Sequence, residues 1–398
     1  SFKTTHYGLF EQPNIRPKNS LENSILSFNK LRSKTESITE LHKLLIAFRK
    51  LETDFDEELN TLPQKGFLIR EGKRQRSVSE KRDQIIQFKQ VLKELSNGIN
   101  LLENNQDVLS AFNLMNETFY QTYLQQNNPN GEWRLFQIVF IISLLSSIVK
   151  RENLDTVHVL HVDTGGGKSE AYFAVITFAL FYNRMKGYNR GVHSIVKFPL
   201  RMLSIQQLER LATIVVNADD IRKNNLLPQG EPFSLGYYIG NSEEFPSKYA
   251  EIRSQLYHRG KVIEPAPSSL ILPKCPFCRE KEEGIVSLHD DEIHKRIVHR
   301  CNSCNREFFI YYSDREIFRW RPSVIVSTVD KWAGLSSQRR ARNLLGDLDH
   351  NAHINMDSYL QEITAKTIKR KPIRVKKLGE MRRVMTGQFY RYKMRCIY

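Results

Sequence analysis

A β-branched run, three glycines and a Lys-Ser pair follow one another without a gap: Val157-His158-Val159-Leu160-His161-Val162-Asp163-Thr164-Gly165-Gly166-Gly167-Lys168-Ser169. No other feature constrains the fold as much. The β-branched residues of 157–162 predict a short strand, and the apolar periodicity of 168–186 predicts a helix. A strand, a glycine turn and a helix N-terminus are together the parts of a phosphate-binding loop. Glycines let backbone N–H groups crowd around an anion, and the helix N-terminus adds partial positive charge. In that frame Lys168 reaches the β- and γ-phosphates of a nucleotide, and the Ser169 hydroxyl binds Mg²⁺. The strict G-x-x-x-x-G-K-[ST] pattern is not met, because Val162 stands at its first glycine. A glycine-rich β–α turn with an incidental Lys-Ser is the alternative.

The surrounding texture predicts the class. Further strand signals at 194–198, 234–239 and 323–328 are separated by helical signals such as 203–223. Strands alternating with helices argue for a parallel sheet with crossovers, hence an α/β domain. Upstream, residues 1–126 read as a helical domain, with apolar positions at Leu41, Leu44, Leu45, Phe48 and Leu51. A break falls at 62–66 and an exposed basic loop at 70–76. A second helix opens at Ser79-Glu80, with an interruption expected at Gly98, and a third spans 106–124. Five turn formers, Asn127-Asn128-Pro129-Asn130-Gly131, mark the boundary before the α/β part. At about 150 residues per domain, 398 residues predict two to three domains.

Cys275-Pro276-Phe277-Cys278 and Cys301-Asn302-Ser303-Cys304 are two C-x-x-C turns with 22 residues between them. Four thiolates on two tight turns match a closed, structural Zn²⁺ site, so Cys275, Cys278, Cys301 and Cys304 are the expected ligands. A redox disulfide suits either pair alone but not both. The expected ribbon covers about 270–312 and is inserted in the α/β domain, with Phe308, Phe309, Tyr311 and Tyr312 as its core. His289, His294 and His299 are expected at its surface rather than on the metal.

With these residues in place, the chain resembles the superfamily 2 helicases, and more narrowly the large helicase-related proteins of the bacterial DISARM anti-phage defence system. Asp163 to Tyr172 looks like helicase motif I, and Trp133-Arg134-Leu135-Phe136-Gln137 is similar to the R-x-x-Q element before it. Phe198 to Gln207 looks like motif Ia, and Ile325-Val326-Ser327-Thr328-Val329-Asp330-Lys331-Trp332 like motif Ib, with the cysteine ribbon between those two. The resemblance covers roughly 75–346. It implies a RecA-like P-loop domain over 132–346, with ATP held by Gln137, Thr164, Gly165, Gly166, Gly167, Lys168 and Ser169. It also implies Lys168 and Ser169 as catalytic groups, and DNA backbone contacts at Arg201, Gln206, Gln207, Thr328 and Lys331. The implied partners are DNA and a second defence protein.

The departures matter too. Where the family carries an Asp-Glu-x-His box on a strand, this chain reads Asp347-Leu348-Asp349-His350, without the Glu and without a long hydrophobic strand before it. A loop is expected there and not that box. A second RecA-like domain is not visible, so the chain is expected to be part of a longer protein that hydrolyses ATP poorly as it stands. Residues 347–398 form a basic tail, and 366–398 hold twelve Lys/Arg and one acid, Glu380. That tail accounts for much of the +16 net charge and is either a solvated segment or a nucleic-acid surface aided by Phe389, Tyr390 and Tyr392. No apolar run reaches the roughly 18 residues of a membrane span. The start Ser1-Phe2-Lys3 has no signal-peptide pattern, so a cytoplasmic protein is expected. The leading expectation is an ATP-dependent DNA helicase or translocase in anti-phage defence. Its rivals are a non-catalytic nucleic-acid-binding or scaffold module that keeps the loop and, more distantly, another P-loop enzyme such as a kinase.

Overall fold

The computed structural model describes residues 26–61, 67–68, 76–151, 157–162, 166–199, 201–225, 230–239, 248–258, 261–262, 270–278, 284–338, 341, 343–344 and 395–397. The N-terminal region is helical: α1 (Phe28–Leu31), α2 (Glu36–Thr61), α3 (Val78–Asn104) and α4 (Gln106–Leu124), with a short antiparallel pair of β1 (Phe67–Leu68) and β2 (Arg76–Ser77) before α3. The apolar stripe of α2 at Leu41, Leu44, Leu45 and Phe48 is buried, as its spacing requires. Asn105 starts α4 by accepting from the backbone N–H groups of Asp107 and Val108 at 3.1 and 3.2 Å. Gly98 does not interrupt α3. It lies inside the helix where α3 meets α5 (Leu135–Lys150), and a Cβ there would stand 2.2 Å from the Ile142 carbonyl oxygen. Glycine is present for close helix approach, not to end a turn.

The turn-rich segment after α4 is clipped back onto the start of the described chain. Phe28 N–H donates to Gly131 O at 3.1 Å and Trp133 N–H to Leu26 O at 2.9 Å. Trp133 is buried against Phe28 and Phe119, and its indole N–H reaches Asn116 Oδ1 at 2.8 Å. Satisfying that N–H removes the cost of burying it. One apolar core then runs from these helices through α5 and α6 (Lys168–Met185) to the sheet. The α6 helix packs on α4, α5 and α7 (Arg201–Asn224), which explains why it is apolar nearly all round.

The main sheet has five strands in the order β10-β4-β11-β3-β12, all parallel to their neighbours. They are β3 (Ser194–Phe198), β4 (Leu235–Tyr238), β10 (Ile310–Tyr311), β11 (Val324–Thr328) and β12 (Arg395–Ile397). Helix α7 crosses from β3 to β4 and α9 (Asp314–Trp320) from β10 to β11. Alternate side chains divide between two cores. Val196, Tyr237, Val324 and Val326 face the helices, while Ile195, Tyr238 and Ile325 face Ile317 and Phe318 of α9. Both faces are covered, so Val324, Ile325 and Val326 of β11 are consecutive apolar residues without alternation. The structure is therefore mixed α/β with a parallel sheet and a helical N-terminal region.

Residues 157–162 are the main departure. They belong to no strand, Val157 and Val159 are exposed, and the side of β3 away from β11 is taken by β12. With that side of β3 occupied, the run has no ladder to join there. The end of the basic tail supplies that edge strand instead, and the rest of 345–394 lies outside the described residues, including Asp347 to His350 and the three tail aromatics.

Between β4 and β10 come α8 (Tyr249–Leu256), the antiparallel pair β5 (Tyr257–His258) and β6 (Lys261–Val262), and a three-stranded antiparallel ribbon of β7 (Val286–Asp291), β8 (Arg296–Cys301) and β9 (Glu307–Phe308). The short helix α10 (Val329–Ala333) follows β11. Tyr311 was expected in the ribbon core but belongs to β10, in the main sheet, because only Phe309 separates β9 from β10. His299, expected at the surface, is buried in β8.

Candidate functional site

Helix α6 begins at Lys168, directly after Gly166-Gly167. Gly167 has φ +83°, a left-handed conformation that glycine adopts without strain, and a Cβ there would stand 2.9 Å from Gln137 Nε2. With no side chain at the cap, the first N–H groups of α6 keep their capacity for an anion. The loop carbonyls are gripped from the start of α5. Arg134 Nη1 donates to Gly166 O at 2.8 Å and Gln137 Nε2 to Gly167 O at 2.7 Å. Gln137 is buried, and its Oε1 accepts the Arg134 N–H at 2.7 Å, so both ends of its amide are held by backbone. Lys168 Nζ donates to Val162 O, which keeps the ammonium over the loop. Thr164 and Gly165 lie outside the described residues; Ser169 follows Lys168 in the first turn of α6.

Glu170 completes that first turn. Its carboxylate pairs with Arg210 of α7, whose Nη1 also donates to Gln207 Oε1 at 3.4 Å. Tyr123 of α4 stands close by: burial holds its phenol above the usual range, while Arg210 and Arg134 pull it back.

The residues expected to contact DNA lie at the end of β11 (Thr328) and in the helices that follow β3 and β11. The parallel register pairs Phe198 with Thr328, so the segments leaving the two strands emerge side by side. In α/β sheets that end of the strands is where ligands bind. Arg201 and Gln206 fall in α7, their side chains outside the described set, while Gln207 is half-buried beside Arg210. Thr328 caps α10 by accepting the Lys331 N–H at 3.4 Å. Lys331 Nζ pairs with Asp314 at 2.8 Å and lies 4.7 Å from the Tyr238 ring centroid. Burial raises the Asp314 carboxyl, and its bond to Lys331 opposes that rise.

The four cysteines converge. Their sulfurs all lie within 4.8 Å of one another, with Cys275 and Cys304 at 3.8 Å. A regular tetrahedron with Zn–S bonds of about 2.3 Å has sulfurs ~3.8 Å apart, so the group fits one such ion. Backbone fixes both turns. Cys275 N–H donates to Gly284 O at 2.8 Å, and Asn305 N–H to Cys301 O at 3.0 Å with Asn305 at φ +56°. Burial pushes the Cys275 thiol up. Burial also raises Cys301, but the backbone N–H groups of Cys304 and Ser303 outweigh it and bring that thiol down to about 7. A ready thiolate is what a soft cation needs. Phe277 and Phe308 stack beside the turns, with Arg306 4.1 Å from the Phe277 ring centroid.

The structure therefore assembles Gln137 with Gly166, Gly167, Lys168 and Ser169, and gathers the four cysteines. Three residues with a part in the loop were not singled out by sequence: Arg134, Glu170 and Arg210. Arg134 and Glu170 stand inside the quoted motifs, where they could have been noticed. Arg210 has no sequence signal, because its partner lies 40 positions away.

No family model matches the chain. It is 31% identical over 301 residues to the DISARM protein DrmA of Bacillus paralicheniformis (strain ATCC 9945a / NCIMB 11709 / CD-2), covering 65% of this chain and 26% of that protein. The chain thus spans about a quarter of the length of the curated relative it matches. Among the described residues no helix is long and apolar enough to cross a membrane.

Proposed function

We propose that this chain is the nucleotide-binding part of an ATP-dependent DNA helicase or translocase that acts in anti-phage defence, with a RecA-like domain built on the parallel sheet. The observation that carries the reading is the glycine loop at the start of α6, its carbonyls gripped by Arg134 and Gln137 and its helix N-terminus left uncapped. The similarity to DrmA supports the defence role and, with it, a partner protein of the same system.

Bound ATP would supply the phosphoanhydride whose cleavage drives movement. Gly166 and Gly167 give backbone room for the phosphates, Lys168 neutralises their charge and the Ser169 hydroxyl offers a ligand to Mg²⁺. Gln137 holds the loop in shape and stands at the position the family gives to adenine recognition. DNA backbone would lie along the C-terminal ends of β3 and β11, near Arg201, Gln206, Gln207, Thr328 and Lys331. Zn²⁺ on Cys275, Cys278, Cys301 and Cys304 would close the ribbon as a structural site.

A binding module that keeps the loop without hydrolysis is the second reading, favoured by the missing Glu in Asp347-Leu348-Asp349-His350. Titration of an ATP analogue with Mg²⁺ tests the shared premise: the chain binds it, and Lys168→Ala lowers affinity at least about 100-fold, the loss of a charge-assisted contact. No binding by the unaltered chain rejects nucleotide binding, and equal affinity in the two proteins rejects binding through this loop. DNA-stimulated hydrolysis in the intact natural protein, lost with Lys168→Ala, separates the motor from the module.

A further inference from the structure

We propose that the Glu170–Arg210 pair is the contact through which a nucleotide in the loop and nucleic acid on α7 alter each other's binding. The inference rests on the functional reading above. It deepens that reading by naming the device that joins the two sites.

Three observations carry it. Glu170 sits in the first turn of α6, its side chain 13% exposed, with one oxygen on Arg210. Its other oxygen, Oε2, is buried without a hydrogen-bond partner and faces the glycine turn, 3.4 Å from the position a Gly167 Cβ would take. Arg210 is half-exposed and donates also to Gln207, one of the α7 residues proposed to contact DNA. A continuous path therefore runs from Gly167 through Glu170 and Arg210 to Gln207.

The chemistry fixes a direction. A phosphate at the start of α6 places more negative charge beside an already buried carboxylate, so the protein needs the Arg210 guanidinium close to Glu170 to offset it. A nucleic-acid phosphate near Gln207 competes for that same guanidinium. Two anions sharing one cation weaken each other, and by thermodynamic linkage each does so by the same factor.

The test is a binding cycle on the 398-residue chain. A fluorescent ATP analogue with Mg²⁺ is titrated at fixed salt, with and without a saturating single-stranded oligonucleotide. In the unaltered protein the oligonucleotide weakens nucleotide affinity by about 5-fold, the low end of usual coupling factors. Glu170→Gln and Arg210→Gln bring that ratio to about 1, while Arg210→Lys, which keeps the charge, restores most of it. A merely structural pair would change both affinities and leave their ratio alone. An unaltered protein with a ratio of 1, or glutamine variants that keep the wild-type ratio, overturns the proposal while nucleotide binding stands. An unaltered protein that binds no nucleotide rejects the functional reading itself, and the inference with it.

Discussion

The carboxylate of Glu316, in the first turn of α9, accepts the backbone N–H of Ile297 in β8 at 2.7 Å. This single bond ties the helix that covers the sheet to the middle strand of the cysteine ribbon. Ser313 Oγ donates to the other carboxylate oxygen at 2.6 Å, and the group is almost fully buried. Burial pushes its pKa up from 4.5 to about 7, against the opposing bonds from Ser313 and Ile297.

A pH dependence follows. The folded chain holds this proton more tightly than the unfolded chain does, so the stability it contributes is whole below pH 4.5 and is lost as pH rises through about 7. The loss is on the order of 3 kcal/mol. Glu316→Gln keeps an oxygen for the Ile297 N–H and removes the charge. Urea denaturation should then show the variant more stable than wild type at pH 8 and equal to it near pH 4. Identical pH slopes in the two proteins would refute this.

The cysteine cluster predicts one zinc per chain in freshly purified protein. Replacing Cys301 by Ser should abolish the metal and lower Tm by about 10 °C, because loss of the site unfolds the ribbon at a cost of several kcal/mol. Metal analysis that finds no zinc in the wild-type protein counts against the site directly.

Gln137 does two separable jobs. Gln137→Glu preserves an oxygen for the Arg134 N–H, and so the cap on α5, but cannot donate to Gly167 O. Nucleotide affinity should fall about 10-fold, the worth of one such bond, with Tm within a few degrees of wild type. Unchanged affinity would mean that the bond to Gly167 does not shape the loop.

Gly98 makes a packing prediction. Gly98→Ala gains helix propensity yet drives a methyl into the Ile142 carbonyl, for a net loss of about 3 kcal/mol by urea denaturation. Gly334, with nothing within 4 Å of its Cβ position, serves as the control and should tolerate Ala within about 0.5 kcal/mol. Equal effects at the two positions would refute the close approach of α3 and α5.

Local pattern made much of this legible. Strands β3 and β11 fall where the β-branched runs stand and β4 on a Leu-Gly-Tyr-Tyr stretch, because both faces of a parallel sheet are buried and the apolar signal does not alternate. The cysteine group was legible because spacing alone places two turns opposite each other. What pattern could not show depends on distant partners. Gly98 reads as a helix breaker until Ile142 is placed against it. The run at 157–162 reads as a strand until β12 fills the edge of β3. His299 reads as polar surface until β8 is enclosed. Glu170 and Arg210 carry ordinary helix-surface charges until α6 is laid on α7.

The ribbon has one more consequence. Strand β10 ends the main sheet on the side away from β12, and the ribbon strand β8 packs against it. An uncovered last strand is a template for unwanted pairing between molecules, which proteins suppress by shielding it. A metal on the four cysteines would therefore serve solubility as well as shape. Chelation would open a sticky border on the sheet, and the protein would fail first by self-association, in a concentration-dependent way, before its helical half had melted.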